Sequence, residues 1–189
     1  MLKKIALVVA VLLVVLLALI ATRPDTFRVE RSTVINAPAG VIFPHVNTLA
    51  QWNAWSPWEK MDPAMHKEFA GPASGTGAVY HWTSDKVGEG QMTILESRPE
   101  RIDIKLEFFK PFKATNDATF TFAPAGAGTN VTWAMTGKNN FAAKAFHMVM
   151  DMDKMVGGDF AKGLASLKEI SEAQAEELAM AKPATAATK

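Results

Sequence analysis

Apolar and polar residues follow three successive rhythms from Met1 to Lys189. The first has no polar beat. Ile5 to Ala21 reads IALVVAVLLVVLLALIA, 17 residues without a charge, a proline or a glycine. As a helix rising ~1.5 Å per residue it covers ~26 Å, close to the ~30 Å hydrocarbon core of a bilayer. Lys3 and Lys4 precede it and Arg23-Pro24-Asp25 closes it, and lysine stems reaching the interface supply the missing length. A core helix would carry a polar face at helical spacing, and none exists. A cleavable signal peptide is the competing reading. Its apolar stretch is usually ~7–15 residues and ends in a small-x-small site. This run is longer, and Leu19-Ile20-Ala21 sets a bulky residue where a small one is needed. An uncleaved anchor over residues 1–23 is the expectation.

The second rhythm has period two. Phe27 to Ile35 alternates as a strand, and Asn36-Ala37-Pro38 turns the chain into a helix start. Ala39 to Asn47 and Thr48 to Ala54 read as short helical pieces, stopped by Ser56-Pro57. Strands follow at Met65 to Ala70, Ala78 to Thr83, Gly88 to Ser97 and Arg101 to Phe109, separated by Gly, Pro and Asp signals. In the last of these Ile102, Ile104, Leu106 and Phe108 face one side and Asp103, Lys105 and Glu107 the other. Ala118, Phe120 and Phe122 make the next inward row, the turn Ala125 to Gly128 follows, and then Val131, Trp133 and Met135 face in. Half-polar strands at this spacing make an antiparallel sheet covered on one face.

The third rhythm has period 3.6. From Ala142 to about Leu178, Phe146, Val149, Met152, Val156, Phe160, Leu164, Leu167 and Ile170 recur at three- and four-residue steps, which predicts one long amphipathic helix. Gly157-Gly158 inside it predicts a kink or a close approach to the sheet. The expected architecture is α+β: a curved antiparallel sheet gripping a long C-terminal helix, with one transmembrane helix in front. The expected domain is 24–178, and 179–189, small and polar, is expected to be a disordered tail.

Charge changes the picture only in placing the domain. Lysine plus arginine is 20 and aspartate plus glutamate 19. From Pro24 onward there are 17 basic residues against 19 acidic ones, which offers no stripe for nucleic acid and no polybasic patch for anionic lipid. Lys3 and Lys4 against the single Arg23 predict a cytoplasmic N-terminus in an inner membrane, with the domain in the periplasm or outside the cell. There is no cysteine, which removes disulfides, thiolate metal sites and thiol nucleophiles.

Chemical motifs are sparse. His45, His66, His81 and His147 show no metal-ligand spacing, although His45 or His81 could serve as a base if it entered a cavity. Asp151-x-Asp153 starts like a calcium loop, but the twelfth position is Lys162 and Met152, Met155 and Val156 occupy the interval. Gly75-x-Gly77 and Gly88-x-Gly90 lack the rest of a dinucleotide fingerprint, and neither a P-loop nor G-x-S-x-G occurs. No cofactor, no metal and no catalytic residue is assigned.

The chain resembles the SRPBCC or START-like superfamily, often labelled polyketide cyclase/dehydrase, over roughly Phe27 to Glu172. The resemblance rests on Val34-Ile35-Asn36-Ala37-Pro38, Trp52-x-x-Trp55-Ser56-Pro57-Trp58 and Gly75-x-Gly77. Gly126 to Thr132 and Phe160-x-x-Gly163-Leu164-x-x-Leu167-Lys168 complete it. It implies the helix-grip fold and, among lipid carriers, hormone receptors and cyclases, a small hydrophobic ligand between sheet and helix. The expected lining is Trp52, Trp55, Tyr80 and Trp82, then Met92, Leu106, Phe108 and Phe120, then Trp133 and Met135 on the last strand. Val149, Met152 and Val156 come from the helix. For Trp52 and Trp55 plain packing of the short helices is the stronger alternative, and the methionines serve equally as core filler. Two other functions stand beside binding: an aromatase/cyclase-type enzyme using an acid/base residue in the cavity, and an anchored interaction module with a filled core. The protein partner of such a module is not legible.

Overall fold

A computed structural model of the chain describes residues 1–181. The element order is α1 (Leu2–Ala21), β1 (Thr26–Ile35), α2 (Ala39–Asn47), a 3₁₀ turn (Leu49–Ala54), α3 (Pro57–Met61), β2 (His66–Ala70), β3 (Val79–Ser84), β4 (Gly88–Arg98), β5 (Arg101–Lys110), β6 (Ala114–Ala125), β7 (Gly128–Lys138), α4 (Phe141–His147) and α5 (Met152–Ala181). The seven strands form one antiparallel sheet in the order β1-β7-β6-β5-β4-β3-β2. Each strand after β2 hairpins to the next, and only β1 crosses to join β7, so the N-terminal strand closes the sheet beside the last one. This is the α+β helix-grip architecture that the alternation implies.

The period-two residues do what their spacing requires. Ile102, Ile104, Phe120, Val131 and Trp133 are all buried on the inner face, with Asp103, Thr119 and Thr132 opposite. α5 lies over β1 and β7, and Phe160, Leu164 and Leu167 of its apolar stripe are fully buried. Arg31, on the inner side of β1, grips the first turn of α5: its guanidinium donates to both carboxylate oxygens of Asp153, at 2.8 and 2.9 Å, and to the Asp153 backbone carbonyl at 3.0 Å. A side chain at Gly157 would strike that guanidinium. Gly157 therefore serves close approach of strand and helix, the second of its two expected uses.

The single long helix expected from Ala142 to Leu178 is two helices. Asn140 caps α4, its side chain accepting from the Ala143 N–H at 2.8 Å. Asp151 caps α5, its Oδ1 accepting from the Lys154 N–H at 3.2 Å. The break falls at 148–151, not at Gly157-Gly158, because an aspartate offers the backbone a cap that the apolar spacing does not register. Phe146 is exposed and Val149 is 84% exposed, so neither faces the sheet as the spacing suggests. α5 continues to Ala181, past the expected start of a tail at Ala179. The rest of that expected tail, 182–189, lies outside the described residues.

α1 is a 20-residue helix whose side chains are exposed except Ile20. It is long and apolar enough to cross a membrane, as an anchor or as a signal sequence.

Candidate functional site

The inner face of the sheet is graded along its strands. Cross-strand register sets Arg31, Trp133, Phe120 and Ile102 in one row. Two rows nearer the ends where β1 begins and β7 finishes, the row is Phe27, Gly137, Asn116, Leu106, Met92 and Tyr80. Beyond it come Ala114, Phe108, Gly90 and Trp82. Along β6 the inward residues thus run Ala114, Asn116, Ala118, Phe120, Phe122: three small, then two large. Along β7 they run Gly137, Met135, Trp133, Val131. Aromatic rings fill one end of the inner face; at the end beside α4 the inward residues of β6 are short, while the Phe27 ring and the Asn116 amide cover Gly137 and the Trp82 ring covers Gly90.

At the filled end, Trp133 stacks on Phe160 with centroids 4.1 Å apart and planes 7° from parallel, and on Phe120 at 4.8 Å. Trp52 and Trp55 sit 4.6 Å apart and meet both Trp133 and Phe120 edge-on. Their indole N–H groups donate to backbone carbonyls, Trp52 to Val46 at 2.9 Å and Trp55 to His45 at 3.0 Å. Gly163 lets α5 cross this stack, since a Cβ there would lie 2.9 Å from the Trp133 ring and 3.1 Å from Pro57. Trp52, Trp55, Phe120 and Trp133 are therefore a plug of packed rings. The packing alternative, not an open wall, describes their geometry. The Trp133 indole N–H finds no acceptor among the described residues and lies within the ring cluster.

At the α4 end, Tyr80, Trp82, Met92 and Met135 are buried while Phe27, Leu106, Phe108 and Val156 are half-buried against them. Trp82 lies flat over Gly90, where a side chain would collide with its ring, and meets Phe108 edge-on at 5.9 Å. Met152 is half-buried at the start of α5. Of the expected lining residues, this end unites Tyr80, Trp82, Met92, Leu106, Phe108, Met135, Met152 and Val156. It leaves out Val149, which points to the exterior. One polar side chain was not foreseen here: Asn116, buried, with its amide N–H 3.7 Å from the Met135 sulfur. Only its place in the inward register of β6 could have revealed it.

A second polar group escaped the sequence reading. Glu59 on α3 is buried, accepts from the Tyr80 hydroxyl at 2.8 Å and pairs with Lys67. Nothing in Pro57-Trp58-Glu59-Lys60 distinguishes it from a surface glutamate. Burial, and then the hydrogen bond to Glu59, push the Tyr80 phenol far above its usual range, so it stays protonated. Lys67 also donates to Asn53 at 2.7 Å, and Ser84 donates to Asp62 at 2.6 Å. These bonds strap α3 and the 3₁₀ turn to the β2–β3 edge, and each Glu59 oxygen already holds a donor. The two candidate histidines stay out of the interior. His45 bonds Gln174 at 2.7 Å, and half-buried His81 stacks on Phe109 from the opposite sheet face to Tyr80 and Trp82.

Two open hollows lie outside the space between the sheet and α5. One of about 840 Å³ is on the outer sheet face between Arg28, Asp103 and Thr119. There Asp103 is occupied by Arg101, which donates to it twice at 2.7 Å and holds its carboxyl below the usual range. Another of about 350 Å³ lies between α3 and α5, lined by Lys60, Met61 and Lys162. Among the described residues no group of three or more His, Asp or Glu is placed to hold a metal ion.

A curved antiparallel sheet packed against a long C-terminal helix over an apolar interior defines the helix-grip class. The family model described as polyketide cyclase/dehydrase and lipid transport matches residues 26–172, and the chain belongs to that family. No curated relative matches it. Among solved structures it is similar to a protein from Chromobacterium violaceum, at 17% identity and a TM-score of 0.55, over 79% of this chain and 99% of that one. It is similar to Ara h 8.0201 at 13% identity and a TM-score of 0.56, over 77% and 97%. It is similar to the Aha1 dimer protein of Colwellia psychrerythraea at 15% identity and a TM-score of 0.56, over 77% and 96%. At these identities the likeness is one of fold.

Proposed function

We propose that the domain, residues 24–178, holds one small hydrophobic molecule, lipid-like or aromatic, at the α4 end of the space between sheet and α5. The observation that carries this reading is the gradient of the inner face. On β6, Ala114, Asn116 and Ala118 stand inward where Phe120 and Phe122 stand at the other end, and half-buried Phe27, Leu106, Phe108 and Val156 form an apolar rim beside them, with Phe27 and Asn116 covering Gly137. The lipid-transport part of the family description is consistent with such cargo. A ligand burying ~300 Å² there would gain ~7 kcal/mol gross at ~25 cal/mol per Å², before ordering costs. α1 serves as an uncleaved anchor, with Lys3 and Lys4 on the cytoplasmic side and the domain in the periplasm or beyond.

Native mass spectrometry of the full chain released from detergent tests the reading: an apolar molecule of defined mass should accompany it. Titration of tryptophan fluorescence with fatty acids, isoprenoids and polycyclic aromatics should saturate. Trp82→Ala should weaken the response more than Lys105→Ala. The second reading, an anchored interaction module, is favoured by the filled ring cluster at Trp133 and Phe160. It predicts an empty mass spectrum and no saturable response.

A further inference from the structure

The α4 end of the domain is also the end at which α1 leaves it. The join between them is tied down. Lys144 on α4 donates to the last carbonyl of α1, that of Ala21, at 3.4 Å and pairs with Asp25. Asn139 donates to the carbonyls of Pro24, at 3.1 Å, and Asp25, at 2.8 Å. Ile20, the one buried residue of α1, lies at this end of the helix. If Ala21 marks the membrane boundary, α4 is held at the same height.

Large apolar side chains are exposed at this end. Phe141 and Phe146 project from α4. Val149 in the α4–α5 link is 84% exposed, and Phe112, in the β5–β6 turn at the same end of the sheet, is 81% exposed. The turns at the opposite end, about 30 Å away along β7 at ~3.3 Å per residue, carry Pro99, Glu100, Gly126 and Ala127 instead. An asymmetry of this kind marks a surface that meets an apolar partner. Lys113, exposed beside Phe112, suits a headgroup-level position, with the ring below and the ammonium above.

We infer that the α4 end rests on the bilayer that α1 enters, with Phe112 and Val149 dipping into the headgroup–acyl boundary. The apolar rim of Phe27, Leu106 and Phe108 then opens onto lipid and not onto water, and cargo enters from the outer leaflet. This rests on the anchor and cargo readings above and adds the source of the cargo to them. The contact is apolar, since the domain has no basic excess, so raised salt should leave it in place.

The absence of cysteine permits a clean test on the full chain. Phe112→Cys, Val149→Cys, Ala127→Cys and Val11→Cys each replace an exposed residue and take an environment-sensitive fluorophore. The chains are reconstituted in phosphatidylcholine vesicles with or without brominated acyl chains. The expected result is loss of emission with brominated lipid at positions 11, 112 and 149, and none at 127. Quenching at 11 alone leaves the anchor standing and overturns the seating. The same holds if 112 and 149 are shielded from aqueous quencher but not quenched by lipid, the signature of a second protein copy. A label at 11 that brominated lipid leaves bright refutes the anchor and the seating together.

Discussion

The two ends of the inner face under α5 are built on the same strands and by the same alternation, yet one is a fully buried ring stack and the other is bordered by half-buried side chains. At the stacked end Trp133, Phe160 and Phe120 stack, with Trp52 and Trp55 against them, and Gly163 brings the helix close enough to seal the contact. At the α4 end β6 offers Ala114, Asn116 and Ala118, Phe27 covers Gly137, and Arg31 ties the first turn of α5 to β1. The difference teaches that inward direction and full burial are separate properties. A side chain can face the core of a curved sheet and still stay partly exposed, as Phe27, Leu106 and Phe108 do.

The largest expected effect lies at the stacked end. Phe160→Ala removes one layer of the ring stack and should cost ~3–5 kcal/mol, read as a lower urea midpoint of the detergent-solubilised full chain. A cost below ~1 kcal/mol would mean that the rings are not close-packed, and the contrast would collapse. Next comes Asn116→Leu, which enlarges an inward β6 residue at the α4 end and exchanges a weakly partnered amide for an apolar group. Stability should change by less than ~1.5 kcal/mol while the saturable ligand response is lost. Unchanged ligand response would remove the α4 end from the cargo reading.

Acid should separate the two ends further. The Arg31 guanidinium holds the Asp153 carboxyl below its ordinary 3.8, and Lys168 with the Asn36 N–H holds that of Glu172 below its ordinary 4.5. A carboxyl depressed on folding stabilises fully above its unfolded value, and that contribution is lost as pH falls through the folded value. Both tethers of α5 should therefore weaken on acidification below about 4, the range where free carboxylates titrate. Around Glu172 the helix retains Leu164 and Leu167; around Asp153 little apolar packing remains. Amide exchange at 152–157 should rise before that at 160–171, and simultaneous rise would deny the difference between the ends. The smallest effect is that of Val149→Ser, which should move stability by no more than ~0.5 kcal/mol because the side chain touches so little.

Much of this was legible in the order of residues. Strand positions, inward rows and the apolar N-terminal helix follow from local period, because burial on one face is a repeating constraint that each strand satisfies for itself. The α4–α5 break was not, although Asp151 carries its signal: its side chain caps α5, and apolar spacing does not register a cap. A helical period continued through Met148 to Asp151 puts Val149 on the apolar face. The link there is not helical, and the face is lost.

The separation of Trp82 from the stack of Trp52, Trp55 and Trp133 was beyond any local pattern. Trp52, Trp55, Trp82 and Trp133 share the same apolar, inward-facing character. What such a ring packs on depends on what stands across from it: Phe160 over Trp133, the Gly90 backbone beneath Trp82. Those neighbours are distant in the chain, so their meeting is fixed by sheet register and by the path of α5. Buried Glu59 has the same origin, since only the β2–β3 edge brings Tyr80 and Lys67 to it. Local sequence set the period, the membrane-length helix and the direction of each side chain. Volume, occupancy and the partner of each buried polar group came from long-range packing, because free space is a property of what surrounds a residue and not of the residue itself.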